Sequence, residues 1–316
     1  MIKIDNFNTG TKANPNSKDI NLDPIKNIKN KKNIKLLLKN IVESNSQDLE
    51  KNINNAYHKE AKLKCFHPIN YLSGTEDIYH KLWLPIKNAF PDLERRDCLV
   101  IGGSFQDKVF VSAISLLTGT YKNSWLNVPT NNKTIYLRLC EVHQIKDNKI
   151  IESHILIDVI DFIRQAGFWP INKSNGAEGL WTTPFTANGA TFENIDQKLS
   201  ISSLEQALTM QRSLNIKPES DKNANHDYVR DKLLTHPQKN FWHEKMMWYG
   251  PSGIGTARGL EGFVNHHQLP FRMTFRERDY WKIGHYVELG DGNYSMTAGW
   301  HSIDAIHGEK DWLGYE

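Results

Sequence analysis

The hydrophobic positions of this chain change from a helical to an alternating period, and that change divides its first half into elements. Ile34, Leu37, Leu38, Ile41 and Val42, then Leu49, Ile53, Ala56 and Tyr57, recur at helical spacing, with a break near Ser44-Asn45-Ser46. A strand-like piece at 63–66 and a loop ending at Ser73-Gly74 follow. Residues 75–89 form a second amphipathic pattern, with Thr75 as N-cap and Pro85 bending the helix near its end. After Phe90-Pro91-Asp92 the period becomes two. Residues 98–101, 109–120, 134–145 and 150–158 predict four strands, with Asp107-Lys108 and Asp147-Asn148 at the tight turns. A short helix at 159–166 closes at Gly167.

Residues 1–30 are rich in Asn, Lys, Asp and Pro and nearly free of aromatics, so they predict a mobile tail. The run Lys26, Lys29, Lys31, Lys32, Lys35, Lys39 is expected to be the solvated start of a helix rather than an anion-binding patch. Pro170, Gly176, Gly179, Pro184 and Gly189 mark residues 169–200 as a linker. A further helix starts at Ser202, where Ser202 and Glu205 have capping-box spacing, and another runs over 227–234. Strand-like and aromatic segments occupy the rest.

The second half repeats the first. Leu84-Pro85 with Phe90 returns as Leu269-Pro270 with Phe275, and Gly74-Thr75 as Gly255-Thr256. Thr118-Gly119-Thr120 returns as Ala298-Gly299-Trp300, and Trp125-Leu126 as Trp312-Leu313. Ordered anchors of this kind indicate a duplicated unit with loop insertions. The expected fold is α+β: two tandem cone-shaped barrels, each a curved, mixed, mostly antiparallel sheet wrapped around helices. The expected boundaries are 31–168 for the first domain and 201–316 for the second. The second unit stops soon after its Trp-Leu anchor, so it is expected to be C-terminally incomplete, its missing strands truncated or supplied by a partner.

Gly74-x-x-x-Ile78 through Pro85 to Ala89-Phe90-Pro91-Asp92 resembles the helix-to-strand signature of SnoaL-like polyketide cyclases, within the nuclear transport factor 2-like superfamily. So does Glu152-x-His154-x-x-x-Asp158 with Arg164-Gln165-x-Gly167, although the family usually has Trp where His154 stands. Met247-Trp248-Tyr249-Gly250-Pro251 through Thr256, with Gly299-Trp300 and Trp312-Leu313-Gly314, looks like the tandem members of that group. The resemblance covers about 33–167 and 200–316. It implies cofactor-free acid-base chemistry on a small carbonyl or polyketide-like compound by a cyclase, lyase or isomerase. It places the acid-base Asp in the segment that holds Asp158. The superfamily also hosts non-catalytic binders, so fold alone does not settle function.

Composition narrows the partners. Thirty-nine Lys and Arg against 36 Asp and Glu leave a net charge of +3, which argues against a dedicated nucleic-acid binder. No apolar run reaches a membrane span, and residues 1–21 lack the apolar core of a secretory signal. Three cysteines, Cys65, Cys98 and Cys140, lack paired spacing and predict reduced core thiols in a cytoplasmic protein. The alternative to an enzyme is a non-catalytic module that binds a small hydrophobic ligand or forms a homodimer through its sheets.

Candidate chemistry centres on the last strand of the first unit. Glu152, His154, Leu156 and Asp158 share one face by period two; if that face lines the cavity, Asp158 suits proton transfer. The competing role for Asp158 is N-cap of the following helix. Arg138, near Glu141 and His143 on the preceding strand, would stabilise an enolate, and His80 on the second helix is a further candidate base. In the second unit Trp248, Tyr249, His266, Trp300 and His301 are candidate ligand-binding residues, with Trp281 a further aromatic. His266, His267, His301 and His307 lack recognisable ligand spacing, so no metal and no cofactor are expected. Gly250-Pro251-Ser252-Gly253-Ile254-Gly255-Thr256 lacks the Lys-Ser/Thr of a phosphate loop and predicts a glycine-rich bend leading from strand to helix.

Overall fold

A computed structural model describes residues 23–192, 196–213, 223–275, 278–282, 287–299 and 302–305. Helix α1 (Pro24–Glu43) starts on Asp23, whose carboxylate accepts from the amides of Ile25 and Lys26. Helix α2 (Leu49–Ala56) runs into β1 (Tyr57–Cys65), which pairs with the short β2 (Tyr71–Ser73). One continuous helical stretch then contains α3 (Gly74–Asp77), a π-helical turn at Ile78–Trp83 and α4 (Leu84–Ala89). The π-turn precedes Pro85, which has no amide hydrogen to give and so tolerates the widened ladder.

Four long strands follow: β3 (Glu94–Phe105), β4 (Lys108–Thr120), β5 (Thr134–Lys146) and β6 (Lys149–Ile157). The sheet order is β2-β1-β6-β5-β4-β3, with β1 and β6 parallel and every other pair antiparallel. Its concave face packs Ile135, Leu137 and Leu139 of β5 and Ile155 and Ile157 of β6 against the helices. Helix α5 (Val159–Ala166) folds back to close the core, where the Phe162 ring lies 5.0 Å from Trp125 and 5.1 Å from Tyr121. It ends at Gly167, whose φ of 107° is the left-handed conformation that favours glycine there.

The second half comprises α6 (Gln197–Ser213), α7 (His226–Thr235), β7 (Met247–Tyr249), β8 (Thr256–Arg258), α8 (Gly259–Phe263), a second π-helical turn at Val264–Gln268 and α9 (Leu269–Thr274). Four short strands follow: β9 (Arg278–Lys282), β10 (Val287–Asp291), β11 (Tyr294–Ala298) and β12 (Ser302–Ala305). The run strand, glycine at positive φ, α-turn, π-turn and Leu-Pro helix occurs in both halves: Gly74 (φ 78°) and Gly259 (φ 65°) open it, and Phe90 and Phe275 cap it. The structural counterpart of Gly74 is therefore Gly259, not Gly255, because Thr256 lies in a strand.

Among the described residues the second half forms no closed cone. Its strands make three separate two-stranded pieces, β7–β8, β9–β12 and β10–β11. The β10–β11 hairpin lies on the convex face of the first sheet, where Val287 and Leu289 pack with Ile101, Phe110 and Val142. Burial of this face joins the two halves without strand pairing.

Several sequence expectations change. The helix begins at Pro24, so the mobile tail does not extend to residue 30; residues 1–22 lie outside the described residues. Lys31 is not solvated: it is 2% exposed and its Nζ donates to Asp291 at 2.7 Å. Thr75 is not the N-cap, since α3 starts after Ser73, and Ser202 sits inside α6 rather than at its start. The 169–200 linker packs instead of merely tethering: Gly189 O accepts from Val100 N, and Ala177 exchanges backbone hydrogen bonds with Thr256. The glycine-rich segment joins two strands, β7 and β8, not a strand and a helix. Cys65 and Cys98 are buried thiols, but Cys140 is exposed, on the convex side of β5.

Candidate functional site

Period-two alternation separates the ionisable residues of β5 and β6 onto two faces. Glu141 and His143 are in phase with Ile135, Leu137 and Leu139, so they enter the concave face with them. Arg138, one position out of phase, faces the opposite way. On β6, Ser153 shares the inner face with Ile155 and Ile157, whereas Glu152, His154, Leu156 and Asp158 share the outer one.

The inner group is a linked polar cluster. Arg95 Nη2 donates to Glu141 Oε1 and, at 2.9 Å, to Ser115 Oγ; its Nε donates to Asp97 Oδ1 at 2.8 Å. Ser115 Oγ donates to the same Asp97 oxygen at 2.8 Å. His143 Nδ1 lies 2.7 Å from Ser153 Oγ and its Nε2 lies 3.2 Å from Glu141 Oε2. Glu141, His143, Ser115, Ser153 and Tyr57 are all 0% exposed. Burial pushes the Glu141 carboxyl up, but the Arg95 guanidinium and then His143 outweigh it and hold it at about 2. Burial, then the Glu141 charge, push the Tyr57 phenol above its usual value. Tyr57 Oη, Arg95 Nη1, Glu141 Oε2 and His143 Nε2 are buried without a geometrically sound hydrogen bond. Native cores hold few such atoms, and this cluster holds four.

The outer group is a clamp. Arg138 Nη2 pairs with Asp158 Oδ2 and donates to Gly250 O at 3.0 Å. Asp158 Oδ2 accepts from Ser252 N at 2.9 Å, and its Oδ1 accepts from Asp161 N at 3.1 Å as the cap of α5. The four residues of the expected shared face do share it, but it is the convex face, away from the helix-packed interior. His154 contacts Glu152 at 3.3 Å there, and Leu156 is 51% exposed. His80 is exposed on the first π-turn, with its ring 4.7 Å from that of Tyr79. Neither histidine sits with the inner cluster.

In the second half the Trp248 ring stacks on His267 at 4.4 Å and lies 5.2 Å from Phe263. Burial lowers the pKa of His267. Tyr249 Oη lies 2.9 Å from Thr182 Oγ1, and His266 Nδ1 is buried without a partner. Trp248 and Tyr249 come near each other in β7 without sharing a described pocket with His266. Trp300, His301, His307 and Trp312 lie outside the described residues, and of Trp281 only the backbone is described. Sequence reasoning passed over Tyr57, Arg95 and Ser153. The signal available for the inner cluster was phase: charged residues in register with apolar neighbours on a strand face the core.

A junction cleft of about 450 Å³ lies between the convex face, α5, residues 177–181 and the glycine-rich loop, with Arg138, Arg164, Tyr136 and Trp181 on its wall. No helix among the described residues is long and apolar enough to cross a membrane.

No family model matches the sequence, and no curated protein matches it. Solved structures similar to this chain include a candidate SnoaL-like polyketide cyclase from Jannaschia sp. CCS1, at 14% identity and a TM-score of 0.37, over 44% of this chain and 95% of that one. AclR, a candidate hydroxylase from Streptomyces galilaeus, is 21% identical over 44% of this chain and 99% of its own, with a TM-score of 0.36. A phenazine biosynthesis-related protein from Pseudomonas aeruginosa is 13% identical over 50% of this chain and 99% of its own, with a TM-score of 0.34.

Proposed function

We propose that the chain is a tandem SnoaL-like protein whose first unit is a cofactor-free lyase or isomerase, of the ester-cyclase kind, acting on a small carbonyl or polyketide-like compound. The observation that supports this reading is the inner cluster, in which His143 lies between Ser153 and Glu141. Tyr57 Oη and Arg95 Nη1, buried without a partner beside the His143–Glu141 contact, destabilise a core, and such expense is typical of functional sites. With its Nε2–H directed at Glu141 Oε2, 3.2 Å away, His143 offers its Nδ1 lone pair, 2.7 Å from Ser153 Oγ, as the base, and takes up a carbon-bound proton through that hydroxyl. The imidazolium so formed lies 3.2 Å from the Glu141 carboxylate. Tyr57 Oη and Arg95 Nη1 are the donors left for the developing enolate oxygen.

Proton transfer is assigned to this cluster rather than to Asp158, whose two oxygens already accept from Arg138, Ser252 and Asp161. A screen of β-dicarbonyl and hydroxy-ketone compounds tests the reading. His143→Asn is expected to lower any turnover by about 100-fold or more, and Asp158→Asn to leave it nearly intact. Unchanged turnover in a folded His143→Asn protein removes His143 as the base. A second reading, a non-catalytic small-molecule binder, is supported by the complete burial of the cluster together with the engagement of Asp158 as a cap. It predicts no turnover of any compound in the screen.

A further inference from the structure

Helix α1 divides its lysines between two sides. The inward ones are engaged: Lys31 pairs with Asp291, Lys35 Nζ lies 3.9 Å from Asp97 Oδ2, and both ammonium groups sit over the Phe192 ring. Ile34, Leu38, Ile41 and Val42 fill the same inward side. At about 100° per residue, the opposite side of the cylinder holds Ile25, Lys29, Lys32, Leu36 and Lys39. All five are exposed, Ile25 at 74% and Leu36 at 57%, and exposed Lys26 flanks them. The ion pairs of α1 use Lys31, Lys35 and Lys39, so Lys26, Lys29 and Lys32 have no ion-pair partner among the described residues. Glu43, met by Lys39 at 3.6 Å, is the only acidic side chain of the helix. The neighbouring β5–β6 turn, where Asn33 Nδ2 donates to Asn148 O at 3.4 Å, adds exposed Lys146 and Asp147, which leave the positive excess unchanged.

We propose that this face of α1 lies on an anionic phospholipid surface, its lysines against the headgroups and Ile25 and Leu36 dipping below them. The positive excess calls for an anionic partner. The stripe is a ridge about 21 Å long, and α1 contains neither Arg nor an aromatic residue. Protein interfaces favour Arg and aromatic anchors and are depleted of Lys, whereas lysines around exposed aliphatic side chains suit a membrane surface. Against nucleic acid the two aliphatic side chains would face phosphates and gain nothing; beneath lipid headgroups they leave water. The contact is peripheral, since no helix among the described residues is long and apolar enough to cross a bilayer.

The experiment is sedimentation of the full chain with sucrose-loaded vesicles, of phosphatidylcholine alone or with about one-third phosphatidylserine. Binding is expected to the anionic vesicles only, weakening at least about tenfold between about 0.05 and 0.5 M salt as the charges are screened. Lys29→Gln with Lys32→Gln should lower partitioning about 30-fold, each lysine near an anionic surface contributing about fivefold. Leu36→Ser should lower it about threefold or more by removing apolar surface that leaves water. Lys59→Gln with Lys62→Gln removes the same charge from β1, across the first sheet from β3, against which α1 packs. That variant should stay within about twofold of the unsubstituted protein. All the substituted residues are exposed, and circular dichroism checks that each variant is folded. No binding to the phosphatidylserine vesicles, equal binding to phosphatidylcholine alone, or equal loss in the two double variants overturns the proposal. So does tighter retention by a DNA duplex or by polyglutamate than by vesicles, unaffected by Leu36→Ser, which would give the face to a nucleic acid or an acidic protein.

Discussion

Lys31 of α1 and Asp291 of the β10–β11 hairpin form a buried ion pair of 2.7 Å, with side chains 2% and 3% exposed. Asp291 Oδ2 also accepts from Gly102 N at 2.9 Å, so one carboxylate holds a helix, the edge strand of the first sheet and the second half together. Removing one partner leaves an uncompensated buried charge. Lys31→Met is expected to cost about 3–5 kcal/mol in urea unfolding, and Lys31→Met with Asp291→Leu to cost less than Lys31→Met alone. A loss below about 1 kcal/mol for Lys31→Met would mean that the charge is solvated.

Asp158→Asn tests the clamp on the convex face. Asn keeps an oxygen for the α5 cap but turns the other acceptor into a donor facing Arg138 and Ser252 N. Stability should fall by about 1–3 kcal/mol. Hydrogen exchange should speed up at the amides of Ser252 and Gly253 before the first sheet is affected. Uniform protection across residues 250–256 in the variant would contradict this.

His267 makes stability depend on pH. Burial lowers its folded pKa, so below the ordinary value of about 6.5 the unfolded chain takes up a proton first. Its effect is absent at higher pH, and stability falls as pH drops from about 6.5 through the lowered folded pKa. His267→Phe, stacking on Trp248, should flatten urea-unfolding stability between about pH 7 and 5. Some slope should persist from His236, which burial, then Arg272 and Lys232, also hold below its ordinary value. An unaltered slope in the variant would contradict the assignment.

Glu141 governs the acid limb. Its folded pKa of about 2 lies below the unfolded value of about 4.3, so its contribution is fully present above that value. It is lost as pH falls toward about 2. Glu141→Gln should therefore reduce stability most at neutral pH, by about 3–5 kcal/mol, since it leaves Arg95 short of a counter-charge. The difference from the unsubstituted protein should shrink in acid unfolding followed by circular dichroism. A difference that stays constant down to about pH 2 would show that Glu141 is not the charged partner.

Much of the order of elements was legible in local pattern. Helical spacing placed Ile34 to Val42, alternation placed β4 and β5 to within a residue, and Gly167 marked the end of α5, because period and cap chemistry are local properties. The repeated Leu-Pro pairs likewise matched a shared element, a π-turn leading into a short helix. Local pattern also grouped Glu152, His154, Leu156 and Asp158 correctly on one face. Which face is concave was not local: it follows from where α1, α2 and α5 pack, and that packing put Glu141 and His143 inside and Asp158 outside. The burial of Lys31 was equally beyond a sequence reading, since its partner lies 260 residues away in the chain. Spacing along a strand fixes which side chains travel together; only the packing of distant segments against that strand decides whether they meet water, a ligand or one another.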